Sequence, residues 1–173
     1  MRLRRFLRNV LSILTVLILI APVGMAQAEK ERIPVWVLCQ PDSYVNVRSK
    51  PSRKSQVEGY AYCGDGFETD GKTKNGFLHV YASTESGEGW ISNGYVVYEE
   101  PTAVNETWIV ESKGRLAARM TVNGKRRKWL KPGAKIVVYY VAEWAVTSEG
   151  FVRPEYIEPE ERNEKHEGST AQN

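Results

Sequence analysis

The thiols and imidazoles of this 173-residue sequence, the first groups to weigh for nucleophilic, acid–base or metal-ligand work, number four: Cys39, Cys63, His79 and His166. A catalytic thiol needs an imidazole beside it and a third group to orient that imidazole. His79 falls in Phe77-Leu78-His79-Val80, a strand-like run. It is expected on the strand surface, with no orienting partner. His166 falls in a polar tail. No His/Cys spacing matches a metal site. The 21 acidic residues show no spacing that marks the paired carboxylates of glycoside hydrolysis. The chain is expected to be no enzyme and to hold no metal or cofactor.

Arg2, Arg4, Arg5 and Arg8 precede an apolar run from Val10 to Ile20, and Ala26-Gln27-Ala28 follows. A charged start, a short apolar core and an A-x-A site are the parts of a secretory signal peptide. Cleavage is expected after Ala28, which makes the protein secreted or envelope-associated. The other reading is an uncleaved anchor, and the leader is then the one contact with membrane. The leader holds four of the 24 basic residues, so the remainder has 20 basic and 21 acidic residues. The basic balance therefore belongs to export and is no nucleic-acid footprint. In an oxidising compartment two cysteines read as one disulfide, Cys39–Cys63. Closing a loop of about 25 residues would stabilise the fold by roughly 3.5 kcal/mol.

Beyond the leader the sequence reads as strands and turns. Val35–Leu38, Gly76–Tyr81, Trp108–Val110, Lys135–Ala142 and Trp144–Thr147 are short, β-branched or aromatic, and bounded by turn residues. No long 3.6-residue period predicts a helix. The strongest signal is an internal repeat. Trp36-Val37-Leu38-Cys39 corresponds to Trp108-Ile109-Val110-Glu111, and Arg48 to Arg119. Gly64 corresponds to Gly133 and Phe67 to Ile136. Phe77-Leu78-His79-Val80 corresponds to Trp144-Ala145-Val146-Thr147, Gly89-Trp90-Ile91 to Gly150-Phe151-Val152, and Tyr95-Val96 to Tyr156-Ile157. Gly64 and Gly133 are expected in tight turns at positive φ. Trp90 and Phe151 are expected in the core. Arg48 and Arg119 are expected to hydrogen-bond turn carbonyls.

Tyr44-Val45-Asn46-Val47-Arg48-Ser49-Lys50-Pro51-Ser52, followed by Gly59, Gly64, Gly76-Phe77, Gly89-Trp90-Ile91 and Tyr95-Val96, resembles the bacterial SH3 domain. The second copy is more diverged and has Met120-Thr121-Val122-Asn123 in place of the Ser-x-Pro turn. The resemblance implies an all-β protein of two tandem small SH3-like β-barrels. The expected boundaries are a signal peptide at 1–28, domain one at 33–98, a linker at 99–106, domain two at 107–158 and a disordered tail at 159–173. The resemblance also implies a non-catalytic targeting module of secreted or surface proteins, often one that binds peptidoglycan.

Binding residues are sought among exposed aromatics and cations. Tyr44, Tyr60, Tyr62 and Tyr81 fall near strand ends and offer flat apolar faces to glycan or peptide stems. Arg126 and Arg127 stand in the run Lys125–Lys128, read as a loop between strands. Residues 102–158 carry ten basic and six acidic groups, whereas 29–101 carry eight and eleven. The second module could thus meet an anionic surface. The expected partner is a cell-wall polymer, peptidoglycan above all. The alternative is a protein of the envelope, such as a hydrolase or secretion component.

Overall fold

The structure is a computed structural model and describes residues 31–160. The expected signal peptide at 1–28 and residues 161–173 of the expected tail lie outside the described residues.

Period-two alternation builds the first sheet. β1 (Ile33–Val37) buries Val35 and Val37, and β2 (Tyr44–Arg48) buries Val45 and Val47. β3 (Val57–Tyr62), β4 (Gly66–Thr69) and the short β5 (Thr73–Lys74) follow. β6 (Phe77–Tyr81) breaks the alternation, because Phe77 through Val80 are all buried. It is covered on both faces. β7 (Glu88–Ser92), the 3-10 turn Asn93–Tyr95 and β8 (Val96–Val97) complete the sheet. The order is β3-β2-β7-β6-β4-β1-β8, with β5 paired to β6, and every pair is antiparallel.

The second sheet repeats that order. Its strands are β9 (Thr102–Val110), β10 (Leu116–Arg119), β11 (Arg126–Leu130), β12 (Lys135–Val141), β13 (Ala145–Thr147), β14 (Gly150–Val152) and β15 (Ile157–Pro159). They run β11-β10-β14-β13-β12-β9-β15, with the 3-10 turn Pro154–Tyr156 before β15. The protein is all-β among the described residues, and no described helix is long and apolar enough to cross a membrane. β9 starts at Thr102, so most of the expected linker 99–106 is strand, paired with β12 through Ala103 and Thr102. The segment carries Thr102, Val104 and Thr107, whose β-branched side chains suit a pleated surface. Pro159 likewise ends β15 rather than opening a tail.

The ladders test the repeat residue by residue. Arg48 pairs with Trp90, and Arg119 with Phe151. Val80 pairs with Gly89, and Thr147 with Gly150. Gly64 N–H donates to the Val37 carbonyl, and Gly133 N–H to the Val110 carbonyl, both at 2.8 Å. Leu38 N–H reaches the Tyr95 carbonyl as Glu111 N–H reaches that of Tyr156. These bonds make Val37 the counterpart of Val110. The two tryptophans are therefore one residue out of register, and Val35 is the counterpart of Trp108. A Trp at either of two neighbouring strand positions reads alike in sequence but points to opposite faces. Gly64 and Gly133 have φ of +91° and +73°, as the turn chemistry predicts.

The two sheets share an apolar cluster. Leu38 and Val97 of the first meet Val122, Trp144, Val146 and Phe151 of the second, flanked by Trp36, Tyr95, Tyr139 and Tyr140. Tyr95 and Phe151 pack edge to face with centroids 6.2 Å apart. Polar bonds cross the same seam. Val122 N–H donates to the Gly94 carbonyl at 2.9 Å, Gln40 Nε2 to the Thr147 carbonyl at 3.2 Å, and Tyr98 N–H to Glu143 Oε1 at 3.0 Å. Gly94 permits the approach, since a Cβ there would stand 3.0 Å from Thr121 Oγ1.

Gly133→Ala should lower stability by about 1–2 kcal/mol, the cost of a left-handed residue with a Cβ. Gly114→Ala, with nothing within 4 Å and no positive φ, should change it by less than about 0.5 kcal/mol. Urea unfolding of the two variants checks both values.

Candidate functional site

Three of the four tyrosines named from sequence come together. Tyr44 faces Tyr62 across the β2–β3 ladder, and Tyr60 faces Asn46. Each occupies an outward position of the alternation. The Tyr44 ring lies edge-on to Tyr60 at 4.7 Å and to Tyr62 at 6.4 Å. Such pairs add about 0.5–1.5 kcal/mol beyond area burial. Yet the three residues remain 54%, 56% and 56% exposed. A preorganised aromatic patch that stays in water is a recognition surface in form. Cavities flank it on two sides. One, of about 420 Å³, is bounded by Tyr44, Asn46, Arg48, Arg53, Ser92 and Tyr95. The other, of about 290 Å³, is bounded by Tyr60, Asp65, Phe67, Ser83 and Thr84.

Tyr81 stands apart from this patch. The Arg32 guanidinium covers its ring at 4.2 Å and pairs with Glu68 at 2.9 Å. Arg126 and Arg127 lie on β11, not in a loop. Arg126 covers the indole of Trp129 at 4.5 Å, and Lys128 pairs with Glu149. The run pairs with β10 through Arg119↔Arg126 and Ala118↔Lys128. Charge density masked a strand whose inward residue is Leu130.

Arg48 and Arg119 do what turn chemistry assigns them. Arg48 Nη1 donates to the Ser55 carbonyl and Arg119 Nη1 to that of Gly124, each at 2.8 Å. Each guanidinium closes the turn that follows its own strand. Phe151 is buried in the seam, whereas Trp90 is only half-buried and meets the His79 ring at a tilt, with centroids 5.1 Å apart.

His79 is no surface residue. It is 6% exposed, with Nδ1 3.1 Å from Asp70 Oδ1 and Nε2 3.2 Å from Glu88 Oε2. Asp70 is held in turn by Lys72 at 2.9 Å. Both ring nitrogens face carboxylates, so neither is open to a substrate. Sequence reading missed the group because Asp70 reaches His79 through a turn. The local cue was the Asp70-Gly71-Lys72 turn, where Lys72 N–H caps onto Asp70 Oδ1 at 3.0 Å.

Cys39 and Cys63 are free thiols in this structure and do not form the expected bridge. They do lie together, with Cys39 N–H 3.4 Å from Cys63 Sγ. Even count and compartment bring the pair to one place but do not fix its oxidation state. Hydrogen bonding to Cys63, then burial, pushes the Cys39 thiol pKa far up. The same bond pulls Cys63 below the ordinary thiol value, against its own desolvation. Burial raises Tyr140 nearby, with both sulfurs adding to the effect. Among the described residues no cluster of His, Cys, Asp and Glu is arranged to hold a metal.

Residues 43–97 match the bacterial SH3 domain. The chain thus carries one such domain, spanning β2 to β8 and holding all three clustered tyrosines. Two solved structures are similar over most of the chain. NlpC1 from Trichomonas vaginalis is 11% identical with a TM-score of 0.36, over 77% of this chain and 48% of that one. NlpC2 from Trichomonas vaginalis is 10% identical with a TM-score of 0.34, over 75% and 48%. The chain spans about half the length of these structures, and scores this low add nothing to the assignment. No curated protein matches the chain.

The thiol asymmetry has a direct readout. In the reduced protein at pH 7, iodoacetamide should modify Cys63 well before Cys39, because the thiolate is the nucleophile. A depressed pKa keeps Cys63 ionised below the ordinary value of 9.0. Its rate should therefore fall only as pH drops through the lowered value. Peptide mapping by mass spectrometry would show equal rates if the asymmetry were absent.

Proposed function

We propose that this chain is an exported, non-catalytic protein of the bacterial cell envelope that binds peptidoglycan through the tyrosine face of its first sheet. The observation that carries this reading is the exposed, mutually packed triad Tyr44, Tyr60 and Tyr62 within the bacterial SH3 domain. Aromatic faces suit the C–H surfaces of sugar rings and peptide stems, and the phenol hydroxyls supply orientation. The charged start, apolar run and Ala26-Gln27-Ala28 support export with cleavage after Ala28.

The second sheet is read as a diverged second copy of the same module. The shared strand order and the matched Arg48 and Arg119 turn locks support that reading. A binding role without catalysis fits His79, whose nitrogens are both engaged, and the free cysteines, whose hydrogen bonds run to each other and to the Ser43 carbonyl.

Pelleting with purified peptidoglycan sacculi tests the proposal. The chain should sediment with sacculi at low salt. Replacing Tyr44, Tyr60 and Tyr62 together by Ser should reduce sedimentation at least tenfold, with the fold intact by circular dichroism. A chain that stays in the supernatant defeats the wall-binding reading. A stoichiometric protein recovered from envelope extract would favour docking on a hydrolase or secretion component instead.

A further inference from the structure

The two sheets are hollowed at the same place. In the first, the cavity beside Tyr44 is bounded by Ser43–Asn46, by Ser92 at the end of β7 and by Tyr95. In the second, a cavity of about 430 Å³ is bounded by Gly114–Ala117, by Arg153 at the end of β14 and by Tyr156. The ladder pairs Arg48↔Trp90 and Arg119↔Phe151 fix the correspondence. Counting from them, Tyr44 matches Arg115, Asn46 matches Ala117, Ser92 matches Arg153, and Tyr95 matches Tyr156. The site keeps its position and changes its chemistry.

We infer that the second cavity binds an anionic sugar, a pyranose bearing a carboxylate, and that its cations read the charge while its aromatics hold the ring. The volume falls within the range of small-ligand sites. Leu116 and Ala117 give an apolar floor. Trp129 and Tyr156 line the cavity and are 46% and 44% exposed; Arg126 covers one face of the indole, which leaves its other face and the phenol ring for a sugar. Lys113, Arg115 and Arg153 also line it, and no acidic residue does. Arg153 is shared with Glu155 at 3.1 Å. Lys113 and Arg115 are exposed and in no ion pair among the described residues. Arg119 is occupied by the Gly124 carbonyl and serves the turn. Guanidinium matches carboxylate in a planar fork, and a ligand carrying that group gains a charge-assisted bond. The excess of ten basic over six acidic groups in 102–158 draws anions toward this end of the molecule. An acyl chain would leave two aromatic faces unused, and an acidic peptide has no ring for them.

This site is separate from the tyrosine face, so either can fail without the other. Binding of oligogalacturonate to the purified chain, read by calorimetry at fixed ionic strength, tests it. Saturable binding is expected, weakened at least tenfold for the methyl-esterified oligomer, which keeps the rings and loses the charge. The double variant K113S/R115S should lose at least tenfold in affinity, and Trp129→Ser likewise, while Tyr44→Ser should bind as the parent does. No binding, equal binding of polyglutamate, or affinity unchanged in K113S/R115S would each overturn the assignment. Should Trp129→Ser misfold, K113S/R115S decides the matter alone, since both side chains are exposed.

Discussion

Everything else in this molecule depends on the apolar seam between its two sheets. Each sheet closes a core of its own, built on Val35, Val37, Leu78 and Ile91 in one and on Val110, Ile136, Val138 and Val152 in the other. Units of about 60 residues bury too small a fraction of their surface to be stable by a wide margin. Trp144 and Phe151 change that balance. They stand at the positions that Phe77 and Trp90 hold in the first sheet, but they turn their rings into a third cluster with Leu38 and Val97. The second sheet thereby lends two large aromatic side chains to the contact. Both sheets lie within one compact unit.

The seam also explains why like positions do unlike things. In the first sheet the residue before Val80 is His79, buried with Asp70 beside Trp90 and capped by the exposed Glu88. In the second the counterpart is Val146, part of the shared cluster. One sheet covers its central strand with a polar network and the other covers it with its neighbour. The candidate binding face is left on outward positions, where alternation puts Tyr44, Tyr60 and Tyr62 in water. The arginine turn locks are common to both because they serve the fold. The cavity linings differ because nothing in the fold dictates them.

Much of the fold was legible in the sequence. Strand alternation, Gly64 and Gly133 at their turns and the Arg48–Arg119 equivalence rest on local chemistry, and local chemistry is what a single sequence displays. The tryptophan register was not legible, because a shift of one residue preserves a strand's composition while reversing its faces. The strand over Thr102–Glu106 was hidden by the neighbouring Glu99-Glu100-Pro101, which reads as linker. At the site, Tyr44, Tyr60 and Tyr62 could be named but not shown to touch, since their proximity is set by the β2–β3 register. That Tyr81 stands apart was hidden for the converse reason, as Arg32 lies far from it in sequence and covers it in space. The cavity at Lys113, Arg115 and Trp129 had only its charge excess as a sequence signal, and that pointed to the adjoining run 125–128.

Hydrogen–deuterium exchange across a urea titration tests the shared seam most directly. Peptides from β2–β3 and from β12–β14 should lose protection together, with one midpoint for both sheets, because each depends on the cluster of Leu38, Val97, Trp144 and Phe151. Two separate midpoints, with one sheet exchanging fully while the other stays protected, would contradict it and make the sheets independent modules on a string.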